Sequence, residues 1–345
     1  MNIPTERMTT PSPANAPAST PASVHATRQA LPFAARLRLP VICAPMYRVT
    51  TADLVIAACE AGVVGALPRN NAPDFDTFDR WLAALQETAA SRPGFAPYAV
   101  NLSTRLAPED MERHLALCAQ RGVTLIISAT GNPTELIRRA HGHGLLVYSD
   151  AVNLHFARKA IAAGADGITA IGAGGGGHSG TVNHLTLVAT LRREFAGTIV
   201  MAGAIANGAA IRAAEVLGAD LAYMGTRFIA TRESGAPPEY KQMLLSSGVA
   251  DLVYTDTVNG VPANWLAPSL RSHGLDPLHM PPRPEGVRGH AHLPAGVVPW
   301  SNIWSAGQGI EEIDDIPSVA ELVDRLYAEY QAAAATPVFG RATGA

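Results

Sequence analysis

Gly164-Ala165-Asp166-Gly167-Ile168-Thr169-Ala170-Ile171-Gly172-Ala173-Gly174-Gly175-Gly176-Gly177-His178-Ser179-Gly180-Thr181 holds, in one continuous stretch, the end of a helix, a joint, a strand and a loop. Gly164 is the residue on which a helix stops, and Gly167–Ile171 is a short apolar run of the kind buried on both faces of a parallel sheet. The loop that follows is almost bare of side chains and carries one titratable imidazole. Such a loop brings backbone against a flat ligand and leaves one proton-transfer group, His178, beside it. The position just past a strand's C-terminal end is where α/β enzymes place their chemistry. The competing reading of His178 is a solvated loop histidine. Gly172–Gly177 also spells G-x-G-x-x-G, but a dinucleotide fingerprint opens a helix directly in the first βα unit. Here His178-Ser179-Gly180-Thr181 intervenes and several units come first, so that reading is set aside.

Outward from this stretch the chain alternates short β-branched runs with amphipathic helices, the pattern of a parallel sheet with crossover helices. The predicted strands are Val41–Ala44, Val63–Ala66, Ala99–Leu102, Leu125–Ser128, Leu145–Ser149, Gly167–Ile171, Ile199–Ala202 and Leu221–Gly225. Eight strands with seven intervening helices predict a closed (β/α)₈ TIM barrel in the α/β class. Asn153 caps one helix, which ends at Gly164, and Asn207 caps another, which ends at Gly218. Gly164-Ala165-Asp166 and Gly218-Ala219-Asp220 repeat one phrase. Its Asp is expected to tie the turn at the face away from the active site.

After Arg227 the alternation fades. Ala236–Ser246 reads as a peripheral helix, Leu252–Pro299 as a Pro-, Gly- and His-rich cover, and Ser318–Ala334 as a terminal helix. The expected division is a disordered Pro/Ala-rich tail (1–30), the barrel (31–250), a C-terminal lid or subdomain with the terminal helix (251–335) and a flexible end (336–345).

The 345 residues are 48% hydrophobic with a net charge of −3. That composition builds a substantial core and leaves no basic footprint for nucleic acid. No stretch approaches the roughly 20 apolar residues of a membrane span, and no secretory core is present, so a protein that stays in the cell is expected. Cys43, Cys59 and Cys118 are scattered and suit a reducing cytoplasm. His141-Gly142-His143-Gly144 lacks the ligand count of a zinc site, and no metal is expected.

In a barrel of this kind the loops after the seventh and eighth strands commonly bind phosphate. Here they read Ala202-Gly203-Ala204-Ile205-Ala206-Asn207-Gly208 and Met224-Gly225-Thr226-Arg227-Phe228. Each alone could be an ordinary tight turn; the pair, at the right two strands, points to phosphate. Ala44-Pro45-Met46 ends the first strand with a thioether able to lie on an aromatic ring or to plug the core. Asn101 and Ser128 end the third and fourth strands. A phosphate cradle, small polar groups and a Met at one mouth suit a phosphorylated flat cofactor, with FMN the natural candidate.

These pieces together resemble the nitronate monooxygenase family, formerly 2-nitropropane dioxygenases, and more distantly the flavin-dependent enoyl-acyl-carrier-protein reductases. The matching segments are Ala44-Pro45-Met46, Ala61-Gly62-Val63-Val64-Gly65, Val100-Asn101-Leu102, Gly175–Thr181, Ala202–Gly208, Met224–Phe228 and Ser305-Ala306-Gly307-Gln308-Gly309, in order along most of the chain. The resemblance implies an FMN-binding barrel with His178 as catalytic base and Met46, Asn101, Gly203, Gly225, Thr226, Gly307 and Gln308 at the flavin. The adjoining Ala44, Pro45, Ser128, Gly176, Gly177, Ala202 and Ala204 complete the expected cofactor-binding set. Three departures bear on the substrate: Ile171 and Gly174 stand where many members have Gln and Glu, and Leu146 where they have a Lys near the fifth strand. Ala204 replaces the second glycine of the phosphate turn.

The implied activity is oxidation of alkyl nitronates, and of the parent nitroalkanes, with dioxygen. The alternatives are an NAD(P)H-dependent reductase of enoyl thioesters or quinones on the same scaffold, and a flavin-binding protein without turnover. The expected partners are a small-molecule substrate and O₂; the sequence does not fix an oligomeric state.

Overall fold

A computed structural model describes residues 29–286 and 289–337. Its centre is a closed parallel barrel of β1 (Val41–Cys43), β2 (Val64–Pro68), β3 (Tyr98–Ser103), β4 (Leu125–Ala129), β5 (Leu146–Ala151), β6 (Gly167–Ile171), β8 (Thr198–Ala202) and β9 (Leu221–Met224). The ring closes where Val41 pairs with Ala222 and Cys43 with Met224. Seven crossover helices surround it: α1 (Ala52–Glu60), α2 (Phe75–Ser91), α3 (Pro108–Gln120), α4 (Thr134–Gly142), α5 (Leu154–Ala162), α6 (His184–Glu194) and α7 (Gly208–Leu217). All eight predicted strands are present. Asn153 and Asn207 cap α5 and α7 through their side chains, accepting from Phe156 N and Ala210 N.

The alternation along each strand sorts the core into two layers, because successive side chains point to opposite faces. Ile42, Val64, Ala66, Ala99, Leu125, Ile127, Tyr148, Val200 and Leu221 fill the barrel, and Phe33 packs with them. Val41, Cys43, Val100, Ile126, Val147 and Ile168 face the helices. Gly167 is small because Tyr148 fills the space beside it; a Cβ there would lie 2.5 Å from the Tyr148 ring.

The repeated Asp does hold the αβ joints. Asp166 Oδ2 accepts from Val147 N at 2.8 Å, and Asp220 Oδ2 from Ile199 N at 2.7 Å, each fixing the start of a neighbouring strand. Arg192 of α6 pairs with Asp220 and donates to the carbonyls of Gly218, Phe195 and Gly197. His141 and His143 are held singly, on Asp166 and Glu112 at 2.9 and 2.7 Å.

The remaining elements are α8 (Thr226–Ile229), α9 (Pro238–Leu245), α10 (Ala267–Arg271), α11 (Val319–Ala334) and a second sheet. Helix α11 opens with a Ser318/Glu321 capping box and buries Val319, Leu322, Val323 and Leu326. The second sheet corrects the sequence reading of the cover as irregular and of His178 as a loop residue. β10 (Leu252–Thr255) and β11 (Ala263–Leu266) form a hairpin, and β7 (Gly177–His178) adds to its edge, with Ala263 opposite His178 and Asn264 opposite Gly177. A two-residue strand has no periodicity to read; only the distant partner makes it one. The Pro/Ala-rich tail up to residue 28 and the end from residue 338 lie outside the described residues. Gln29 N donates to Ala196 O at 3.0 Å. Among the described residues no helix is long and apolar enough to cross a membrane.

Candidate active site

The C-terminal ends of the barrel strands open into a cavity of about 1070 Å³, covered by Val261, Trp300, Ser305 and Gly307. Ala44, Pro45, Met46, Asn101, Ser128, Gly176, Gly177, His178, Ala202, Gly203, Ala204, Gly225, Thr226 and Gly307 all line it. Gln308 does not: its side chain is exposed, and its N–H donates to Gly174 O at 2.9 Å. Leu146 is also absent from the site. Parallel strands put the mouth at their C-terminal ends, and Leu146 begins β5.

One wall is backbone packed on backbone. A Cβ on Gly176 would lie 2.7 Å from Gly307 N, one on Gly307 2.6 Å from Gly174 O, and one on Gly203 2.6 Å from Gly175 N. Asn264 of β11 stitches this wall, its Nδ2 reaching Gly175 O at 2.6 Å and Ala173 O and Ser179 Oγ at 3.2 Å. The glycines also make room for His184 behind the loop. Its Nε2, buried and unpartnered, lies where a Cβ of Gly203 or Gly172 would fall, and burial holds its pKa below the usual value.

The two predicted phosphate turns differ. After β8, Ala204 adopts a left-handed backbone at φ 57°, the conformation for which glycine is normally used. The N-terminus of α7 beyond it is already satisfied, by the Asn207 cap and by Glu329, which accepts from Gly208 N at 2.7 Å. A phosphate there would rest on the turn and not on that helix. After β9, Gly225 begins α8 with no side-chain cap, and a Cβ on it would meet nothing closer than Met46 Sδ at 3.6 Å. Gly225 lines the cavity, and a Cβ there would make ordinary van der Waals contact with Met46 and Ala44.

His178 is held on three sides. Main-chain pairing with Ala263 fixes its backbone, and Trp300 sets its indole edge to the ring at 5.1 Å and 85°. Asn259 Nδ2 lies 3.2 Å from His178 Nε2, while Asn259 Oδ1 accepts from Val261 N at 3.2 Å. The second bond orients the amide, so Nε2 of the neutral imidazole is the acceptor and Nδ1 carries the proton. Burial lowers the His178 pKa and favours this neutral form.

Sequence reasoning missed Asn259, Asn264, Trp300, Asp150 and Tyr223. Asp150 and Tyr223 sit on the inward-facing alternation of β5 and β9, two residues beyond Tyr148 and Leu221, and both line the cavity. An acidic residue at the mouth end of a predicted barrel strand was the available signal.

A glycine-walled cavity with a neutral polar floor and an uncapped turn at Gly225 has the size and chemistry for a phosphorylated planar cofactor, with room beside it. The fold and site together define a barrel oxidoreductase. More narrowly, the chain belongs to the nitronate monooxygenase family, whose sequence profile matches residues 82–329. It is 35% identical to a Mycobacterium tuberculosis protein that carries a monooxygenase name, over 51% of this chain and 49% of that one. It is 32% identical to the (3aS,4S,5R,7aS)-5-hydroxy-7a-methyl-1-oxo-octahydro-1H-indene-4-carboxyl-CoA dehydrogenase of the same organism, over 67% of this chain and 64% of that one. Thus the matches span about half to two thirds of these two relatives. A nitronate monooxygenase of Pseudomonas aeruginosa is 27% identical over 85% of this chain and 96% of its own. Among solved structures, FabK from Thermotoga maritima superposes with a TM-score of 0.69 at 25% identity, covering 86% of this chain and 94% of FabK. The nitroalkane oxidase from Streptomyces ansochromogenes gives 0.68 at 26%, covering 87% and 98%.

Proposed function

We propose that this protein is an FMN-dependent oxidoreductase that oxidises alkyl nitronates, and their parent nitroalkanes, with dioxygen. The observation that carries the reading is His178, a buried imidazole lining the glycine-walled cavity, its Nε2 engaged at rest only by the Asn259 amide. Met46, Asn101, Ser128 and the turns at Gly203 and Gly225–Thr226 would hold FMN, which supplies the electron acceptor when bound.

The neutral nitroalkane carries an acidic α-C–H, and a base with a pKa near or below neutrality is matched to remove it. At rest the Asn259 amide donates to Nε2; it yields as the substrate C–H approaches. Once the proton is on Nε2, Asn259 faces a donor with a donor, so the imidazolium is disfavoured and returns its proton when the cycle ends. Trp300 keeps the ring from turning away. Tyr47, Val261 and Trp300 offer the substrate's alkyl group an apolar rim. A preformed nitronate has no such proton to lose and needs His178 only for orientation.

The second reading is a dehydrogenase or NAD(P)H-linked reductase of acyl thioesters, favoured by the 32% match to a carboxyl-CoA dehydrogenase and by a cavity large enough for a second ligand. A thioester α-C–H is also a carbon acid, and His178 serves it in the same way. In either reading residues 251–335 act as a cover that completes the site. The three buried free cysteines fit a cytoplasmic protein. Purified protein releasing FMN on heating, and consuming oxygen with a nitronate, supports the first reading. Release of FAD, or a colourless protein that takes up no FMN, overturns it.

A further inference from the structure

Four inward-facing positions near the mouth of the barrel are polar: Asn101 on β3, Asp150 on β5, Thr169 on β6 and Tyr223 on β9. Beneath them the interior is apolar. Asn101 is satisfied by Ile127 O at 3.1 Å. Asp150 Oδ1 and Tyr223 Oη are not: both are sealed from solvent and neither has a hydrogen-bond partner. A buried polar atom left unpartnered is expensive, and native proteins rarely keep one without a use. Thr169 Oγ1 is a third such atom, and Asp150 and Tyr223 line the same cavity.

Their chemistry narrows what completes them. Burial raises the Asp150 carboxyl to about 7; the Thr169 hydroxyl is close enough to favour the charged form without closing a hydrogen bond. Around neutrality Asp150 can therefore donate an O–H as well as accept. Tyr223 stays protonated, raised by burial and by the charge of nearby Asp150. Cys43 of β1, behind Tyr223, is likewise raised by burial and neutral. The other titratable groups on the cavity are Tyr47, Lys159 of α5, His178 of β7 and Tyr240 of α9. The complementary ligand is a flat ring edge that alternates carbonyl oxygens with an N–H. In this chain Ile171, half-buried at the end of β6, offers nothing polar to such an edge.

We propose that Asp150 and Tyr223 bind the imide-like edge of the flavin ring, Asp150 donating its carboxyl proton to a ring carbonyl and Tyr223 its phenol hydrogen. This rests on the FMN reading above. The two residues are binding groups toward the cofactor, so flavin affinity becomes linked to protonation of Asp150.

The test is titration of apoprotein with FMN, followed by flavin fluorescence from pH 5.5 to 8.5, for wild type and for Asp150→Asn, Asp150→Leu and Tyr223→Phe. Wild-type affinity should weaken as pH rises through about 7, where the carboxyl loses its donor proton. Asp150→Asn, which keeps a donor, should bind at all pH values with the slope removed. Asp150→Leu and Tyr223→Phe should each weaken binding by roughly tenfold, the usual loss when a desolvated hydrogen bond is left half-made. Melting curves of the apoproteins separate lost binding from lost fold, and the Asn and Phe variants keep the test open if the Leu variant does not fold. Equal affinity in Asp150→Asn, Tyr223→Phe and wild type, with the same pH slope, overturns the proposal. Failure of wild type itself to take up FMN overturns the cofactor reading, and this assignment with it.

Discussion

Asn259 donates to Nε2 of His178 at 3.2 Å, from a loop more than eighty residues further along the chain, and its own carbonyl is tied back to Val261 N. The candidate base thus has its tautomer set by the cover and not by the barrel. Converting Asn259 to Asp replaces a donor with a carboxylate, which stabilises the imidazolium and raises the His178 pKa. The acid limb of the kcat/KM profile should move to higher pH, with activity lost between pH 6 and 7 and largely retained at pH 8.5. An unmoved limb would mean that Asn259 does not govern His178.

Burial lowers the pKa of both His178 and His184. The unfolded chain therefore holds their protons up to about pH 6.5 while the folded chain has already released them. Stability from this source is fully present above pH 6.5 and is lost as pH falls through the lowered folded values. Apoprotein melting temperatures should fall more steeply on acidification in wild type than in a His178→Asn/His184→Asn double variant. Parallel curves would show that the two imidazoles are not held neutral by the fold.

Gly203 and Gly225 separate fold from binding. Gly203 has φ 108° and would drive a Cβ to 2.6 Å from Gly175 N, so Gly203→Ala should destabilise the apoprotein by roughly 1–3 kcal/mol. Gly225 has an ordinary φ of −105°, and a Cβ there would sit at van der Waals contact, 3.6 Å from Met46 Sδ, so Gly225→Asp should fold with a near wild-type melting temperature. It should nevertheless lose FMN, by blocking the phosphate and repelling its charge. Calorimetry with flavin quantification reads both; full FMN content in Gly225→Asp would remove that turn from the cofactor site.

At the other end, Phe33 is 4% exposed and packs with the interior side chains of the barrel. Phe33→Ala should cost about 3 kcal/mol, the usual loss for a buried aromatic. Residues 1–28 carry no apolar periodicity in the sequence, and deleting them should leave the melting temperature and flavin content unchanged. A drop in either after that deletion would show that the tail supports the barrel.

The barrel was legible because its signals are local. Strand runs, Asn caps, the glycines at helix ends and the Gly-Ala-Asp joints each act within a few residues, and the structure uses them as read. The glycine turns could be placed at the mouth because parallel strands leave no choice of end. What was not legible depends on partners far apart in sequence. Gly177–His178 becomes a strand only because Ala263 and Asn264 pair with it, and Trp300 reaches His178 from a segment without periodicity. Asp150 lay in plain view, but its importance comes from Tyr223, seventy-three residues on, and from the lack of any partner for either oxygen. The Lys expected near the fifth strand was matched to Leu146, at the closed end; the polar side chains that line the mouth from that strand are Ser149 and Asp150.

The central claim is that His178 is the base toward a carbon acid, and one comparison tests it most directly: anaerobic flavin reduction by a neutral nitroalkane and by its preformed nitronate, in wild type and His178→Asn. Loss of positioned general-base catalysis should slow reduction by the nitroalkane on the order of 10²–10⁴-fold, while the nitronate, already deprotonated, is slowed far less. Equal losses on both substrates would contradict the account, as would rapid bleaching by NADH with none by either nitro compound, which would transfer the site to the reductase reading.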